Sequence, residues 1–256
     1  MDGMLRKNLW EMVMVRAKTG GNATRRGAND ATVRQRASSK GDQTEIPTLF
    51  DDSLRRKAVK HLRSCDPRMA GVVEQVGKFT FQPLADGTHF HALIRAIVYQ
   101  QLSGKAAATI HARFEGLYGG RAPRPGEVAD TPDADLRSVG LSRQKLSYLK
   151  DLGERVDSGD VDLESLDHLP DDVVIETLTR IRGLGRWSAQ MFLMFRLGRV
   201  DVLPDLDLGI QKGVQALLEL PELPRPKFVL EVGEAWRPYR TVASWYLWRS
   251  VSPEQP

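Results

Sequence analysis

From Phe50 onward, apolar positions recur at helical spacing almost without interruption. Phe90, Leu93, Ile94, Ile97 and Val98 follow i, i+3, i+4, i+7, i+8, one face of an amphipathic helix. Leu54, Ala58 and Leu62 share a face of a segment that Asp51 or Asp52 can cap. Pro67 opens a short helix with Met69, Val72, Val73 and Val76. The period lapses at YQQLSG (Tyr99 to Gly104), resumes through Ala107, Ile110, Phe114 and Leu117, and stops at Gly119-Gly120. Thr131 starts PDADLRSVG, Ser142 leads into RQKLSYLKDLGERV, Pro170 precedes DDVVIETLTRI, and RWSAQMFLMFRLG follows a GLG break. Asp207 precedes LGIQKGVQALLEL, then come Pro226 to Gly233 and, after Pro238, YRTVASWYLWRSV. A short extended piece at KFTFQP is the only candidate for strand geometry. The pattern predicts an all-α fold of about ten short helices joined by short loops.

Composition narrows the class. With 256 residues and 41% apolar content, the chain can build a substantial core. The longest apolar runs, such as MFLMF (Met191 to Phe195), are far too short for a bilayer, so no membrane association is expected. Glu11 interrupts LWEMVMV, which leaves no signal-peptide core and points to an intracellular protein. The single cysteine, Cys65, excludes an intrachain disulfide and an iron–sulfur cluster. His61, His89, His91, His111 and His168 show no paired metal-ligand spacing, and His89 and His91, two apart, face apart on a helix.

The formal net charge of +4 sits in the first 45 residues, which hold nine Lys/Arg against five Asp/Glu. That stretch is polar and rich in Gly, Ala, Ser, Thr and Arg, and reads as a disordered basic extension able to add unspecific phosphate affinity, or as a terminus without function. The rest is neutral but segregated. Residues 151–172 carry nine acids and one base, Arg155, whereas residues 180–249 carry eleven bases and seven acids.

The basic half contains IRGLGRWSA, Ile181 to Ala189. Glycines at 183 and 185 allow two helices to meet through a very tight turn. The amides of Gly183, Gly185 and the next helix's first turn would then cluster outward as an anion cradle, with Arg182 and Arg186 beside them. Such contacts hold a nucleic-acid backbone without reading its sequence. A plain helical turn with a glycine cap fits GLG equally well.

Five stretches in order break that tie: FHALIRAIVYQQLSGKAA, VGLSRQKLSYLKDL, LTRIRGLGRWSAQ, DVLPDLDLGIQKG and EAWRPYRTVASWYLW. Together they span most of residues 90–250, and the chain resembles the helix-hairpin-helix DNA glycosylases, specifically the 3-methyladenine DNA glycosylase II branch. The resemblance implies two helical lobes with a cleft between them. Residues 46–88 plus 201–256 would form the first lobe and residues 89–200 the second, with the helix-hairpin-helix at about 173–198. The compact form is expected, since residues 1–45 are too short and polar for the mixed N-terminal domain of larger members.

The resemblance also assigns roles. The family's catalytic carboxylate falls on Asp207, which by itself reads as a helix N-cap. Breaking an N-glycosidic bond leaves positive charge on the sugar, which a fixed carboxylate stabilises while orienting water. Asp205, in the same loop, is the reserve candidate but reads as a solvated acid. Many relatives carry a Schiff-base lysine where this chain has Trp187, so water should be the nucleophile and strand cleavage absent. Base-pocket candidates are Trp187, Tyr239, Trp236 and, where some members have an aromatic, Met191. Trp245 and Trp248 read as packing residues. The YQQLS break matches the wedge that fills the hole left by a flipped base, with Gln101 assisted by Leu102; a helix-terminal glutamine pair is the plainer reading. Lys105 and Lys212 join Gly183, Gly185, Arg182 and Arg186 as phosphate contacts. A monovalent cation, Na+ or K+, would sit on the main-chain carbonyls of Thr179, Ile181 and Leu184. The expected activity is monofunctional excision of alkylated bases of the 3-methyladenine type, without a required cofactor, by a monomer on double-stranded DNA. A glycosylase for hypoxanthine, uracil or a mismatched base, and a noncatalytic helix-hairpin-helix DNA-binding protein, are the alternatives.

Overall fold

A computed structural model describes residues 50–84 and 87–251; the expectation for residues 1–45 lies outside them. Among the described residues there are twelve α-helices, two 3-10 turns and no strand. The helices are α1 (Asp52–Cys65), α2 (Pro67–Val76), α3 (His89–Tyr99), α4 (Gly104–Gly116), α5 (Pro125–Asp130), α6 (Asp133–Ser138), α7 (Arg143–Asp157), α8 (Asp171–Thr179), α9 (Arg186–Phe195), α10 (Leu208–Leu217), α11 (Pro226–Gly233) and α12 (Arg240–Val251). None is long and apolar enough to cross a membrane.

Polar caps start these helices where the sequence places them. Asp51 accepts from Leu54 N at 2.6 Å, Ser142 from Lys145 N at 3.1 Å, and Asp207 from Ile210 N at 3.0 Å. The segment predicted from Thr131 begins at Asp133 instead, after Pro132, because Thr131 belongs to the end of α5.

The KFTFQP piece is not a strand. Its carbonyls find a side chain rather than a sheet partner: the Arg55 guanidinium donates to Phe79 O at 3.3 Å and Phe81 O at 2.7 Å, and its Nε to Phe50 O at 2.9 Å. With the backbone so satisfied, the rings of Phe50, Phe79 and Phe81 join the core, Phe81 reaching Phe195 at 5.1 Å between centroids.

Packing follows two groups of helices. α1 and α2 pack on each other and on α12, which packs on α10, and α10 meets α11. Separately, α3 packs on α4 and α7, α5 and α6 on α7, and α8 on α9. The segment leading to α10 links the groups. Thr241, fully buried in α12, donates to Arg199 O at 2.7 Å and accepts from Val202 N at 3.0 Å. Asp201 pairs with Arg240 and Arg237, each at 2.8 Å. Gln190 of α9 donates to Leu203 O at 3.2 Å. The loop that delivers residue 207 is therefore held from both α9 and α12.

Candidate active site

Asp207 ends that loop, and 4% of it is exposed. Its carboxylate accepts three N–H groups. Oδ1 takes Ile210 N at 3.0 Å and Trp248 Nε1 at 2.8 Å, and Oδ2 takes Trp187 Nε1 at 2.8 Å. A helix N-terminus and two indoles thus fix one carboxylate in orientation. Gly209 makes room for one of them: a Cβ there would lie 2.7 Å from Trp248 Cδ1 and 3.0 Å from Asp207 Oδ1. Trp248, which reads as packing in the sequence, is therefore part of the site, whereas Trp245 does pack in the core.

The neighbouring acid is not solvated. Asp205 is 2% exposed, and Arg186 donates to its Oδ1 at 2.7 Å. This corrects the reading of Asp205 as a solvated acid: it is buried and paired with Arg186, whose side chain stays 46% exposed beside the hairpin.

The hairpin between α8 and α9 turns at Gly183, with φ +82. A Cβ at this position would meet the Tyr148 ring at 2.1 Å, so glycine is required by both conformation and space. Arg182 N donates to Asp151 Oδ2 at 2.8 Å, which anchors the turn to α7 and takes this amide out of the anion cradle. Among the described residues no acceptor faces the amides of Gly183 and Gly185, which stay available beside the start of α9. The Arg182 side chain is exposed and 3.5 Å from Asp151. Lys105 and Lys212 are exposed and form no ion pair among the described residues.

The YQQLS break is a tight turn between α3 and α4. Gln101 is exposed at its tip with φ +57, a left-handed conformation that costs a glutamine about 1–2 kcal/mol. Leu102 is half-buried behind it. Gln100 Nε2 donates to Gly183 O at 2.9 Å and so ties the turn to the hairpin. Gln100, Gln101, Ser142, Lys145, Tyr148, Gly183 and Trp187 line a cleft of about 280 Å³. Trp187 thus faces the cleft while its N–H reaches Asp207. Burial pushes the Lys145 ammonium down to about 8, and it donates to Val98 O at 2.6 Å.

Two pocket candidates do not offer a face to a base. Trp236 is completely buried and Met191 is 3% exposed, both as core residues. Tyr239 is half-buried, edge-on to His61 at 5.4 Å, outside the cleft lining. Trp248, Gly209, Gln100, Asp151 and Lys145 were not singled out for the site by the sequence, and only Gly209, two residues from Asp207, carried a local signal.

Comparison with known proteins agrees with this geometry. Residues 94–238 match the family model described as HhH-GPD superfamily base excision DNA repair protein. DNA-3-methyladenine glycosylase 1 of Schizosaccharomyces pombe is 37% identical over 197 residues, 76% of this chain and 86% of the relative. DNA-3-methyladenine glycosylase of Saccharomyces cerevisiae is 31% identical, covering 76% of this chain and 79% of the relative. The solved structure of the S. pombe 3-methyladenine DNA glycosylase with abasic DNA superposes with a TM-score of 0.68 at 36% identity, covering 78% of this chain and 98% of the other. A Bacillus halodurans DNA-3-methyladenine glycosidase gives 0.69 at 39% identity, covering 76% and 89%. With an all-helical fold, a GLG hairpin and a loop carboxylate held by two indoles, this chain belongs to the HhH-GPD superfamily of base excision DNA repair proteins.

Proposed function

We propose that this protein is a monofunctional DNA glycosylase that excises alkylated bases of the 3-methyladenine type from double-stranded DNA inside the cell, acting as a monomer. The observation that carries the reading is the Asp207 carboxylate, oriented by Ile210 N, Trp187 and Trp248, with Trp187 linking it to the cleft beside the hairpin. The amides of Gly183 and Gly185, with Lys105, Lys212 and Arg182, hold the phosphates. The damaged nucleotide leaves the stack, and Gln101 with Leu102 occupies the space it vacates. The bond from C1′ to the base nitrogen breaks and its electron pair leaves with the base. Asp207 stabilises the positive sugar, water adds to C1′, and the water proton passes to the carboxylate.

A purine alkylated at a ring nitrogen already carries positive charge and leaves as a neutral molecule. It needs no acid to protonate it. Trp187 has no amine to attack the sugar, so an abasic site is the product and borohydride traps no protein–DNA adduct. The step consumes only water. The carbonyls of Thr179, Ile181 and Leu184 would hold a Na+ or K+ ion; Ile181 O accepts from Leu184 N at 3.1 Å and keeps a second lone pair for it.

Excision by wild type and Asp207→Asn on duplexes containing 3-methyladenine, 7-methylguanine, 1-methyladenine, hypoxanthine or uracil tests the reading. The expected result is release of alkylated purines, lost by about a hundredfold or more in Asp207→Asn with abasic-DNA affinity kept. Wild-type rates in the variant would refute the role of Asp207, and preference for hypoxanthine or uracil would refute the lesion class.

A further inference from the structure

α3 and α4 form an antiparallel helical hairpin whose closed end is the turn carrying Gln101. At its open end His91, in the first turn of α3, faces His111 and Glu115, one helical turn apart near the end of α4. His91 Nε2 lies 3.0 Å from Glu115 Oε1, and His111 Nδ1 lies 3.6 Å from Glu115 Oε2. The imidazoles stack at 5.4 Å between centroids with 23° between their planes. One donor atom from each of the three side chains falls within 4.8 Å of the other two.

We propose that His91, His111 and Glu115 bind a divalent transition-metal ion that staples the open end of the hairpin bearing Gln101. The donor set is two imidazoles and one carboxylate, which suits Zn2+, Co2+ or Ni2+ rather than Mg2+ or Ca2+. Ligands at about 2.0–2.1 Å around a tetrahedral ion stand roughly 3.3 Å apart, so small side-chain rotations close the site. His91 and Glu115 are each about one-quarter exposed, which leaves a fourth position open to water.

Three further observations favour the site. His111 is 94% buried, and its Nε2 has no hydrogen-bond partner. No Lys or Arg pairs with Glu115 among the described residues; the nearby Arg95 guanidinium sits instead over the Tyr99 ring at 4.7 Å. Gly87 leaves room for the His91 ring in this position, since a Cβ there would lie 2.8 Å from its Nδ1. Metal binding stands without the glycosylase reading; only the link to a wedge depends on it.

Co2+ titration of the full chain followed by its visible ligand-field band, and Zn2+ titration followed by calorimetry and Tm, test the site. The expected result is saturable binding of one ion per chain and a Tm that rises with free metal. His91→Gln and Glu115→Gln, at partly exposed positions and checked for unchanged helical circular dichroism, lose both signals. His89→Gln, whose ring is taken by Arg196 Nε at 2.9 Å, keeps them. The proposal is overturned by absence of the band in wild type. It is equally overturned by a band that survives the first two substitutions or that His89→Gln also removes.

Discussion

The indole of Trp248 donates at 2.8 Å to the same Asp207 oxygen that caps its own helix through Ile210 N at 3.0 Å. That leaves Oδ2 to Trp187 alone. The carboxylate is therefore aimed by a residue 41 positions away, and its capping bond shares an oxygen with the bond that orients it. Trp248→Phe removes the donor and keeps the ring. Excision turnover should fall about tenfold or more, equivalent to roughly 1.4 kcal/mol, with abasic-DNA affinity unchanged. Single-turnover kinetics beside a binding isotherm separates the two, and equal losses in both would count against an orienting role.

Gly209→Ala should reproduce that defect. Alanine improves an exposed helix by about 1 kcal/mol, yet here its methyl would enter the space of the Trp248 indole, 2.7 Å from Cδ1. The expected outcome is lower turnover without a gain in Tm. A more stable, fully active variant would show that the indole has freedom to move.

At Gly183, conformation and space act together. Gly183→Ala meets left-handed strain of about 1–2 kcal/mol and a clash with the Tyr148 ring at 2.1 Å. DNA affinity should fall for all sequences alike, because the contacts proposed for the hairpin are to backbone only. Adding Tyr148→Ala relieves the clash but not the strain, so denaturant unfolding should recover only part of the loss.

Gln101 presents a trade between fold and function. Gln101→Gly releases about 1–2 kcal/mol of left-handed strain and gives back about 0.5–1 kcal/mol through unfolded-state freedom. Thermal stability should hold or rise while excision falls. Falling stability with intact excision would assign the side chain to the fold.

Lys145 sets a pH dependence. With its ammonium lowered to about 8 by burial, it is charged at pH 7 and neutral at pH 9. DNA affinity should weaken across that interval, and Lys145→Arg should flatten the profile. Folding runs the other way: the unfolded chain holds this proton more tightly, so the lysine's contribution to stability rises with pH from about 8 towards its ordinary 10.5.

The helices and the cap at Asp207 were legible because their signals are local: a cap, a period, a glycine pair; a catalytic role for Asp207 came from the resemblance alone. What escaped was set by contacts distant in sequence. Trp236 and Trp187 look alike as aromatics near motifs, but the first is wholly enclosed and the second reaches the cleft. Asp205 looked solvated because its partner, Arg186, lies nineteen positions earlier on another helix. The His91–His111–Glu115 cluster is invisible to spacing on one helix because α3 and α4 each supply part of it.

The hydrogen bond from Gln100 Nε2 to Gly183 O, 2.9 Å long, couples the two parts that would touch DNA first. It acts as a fixed spacer between the proposed grip on the strand and the proposed wedge. On those roles, the distance between the two is a property of the protein's own backbone rather than of the lesion.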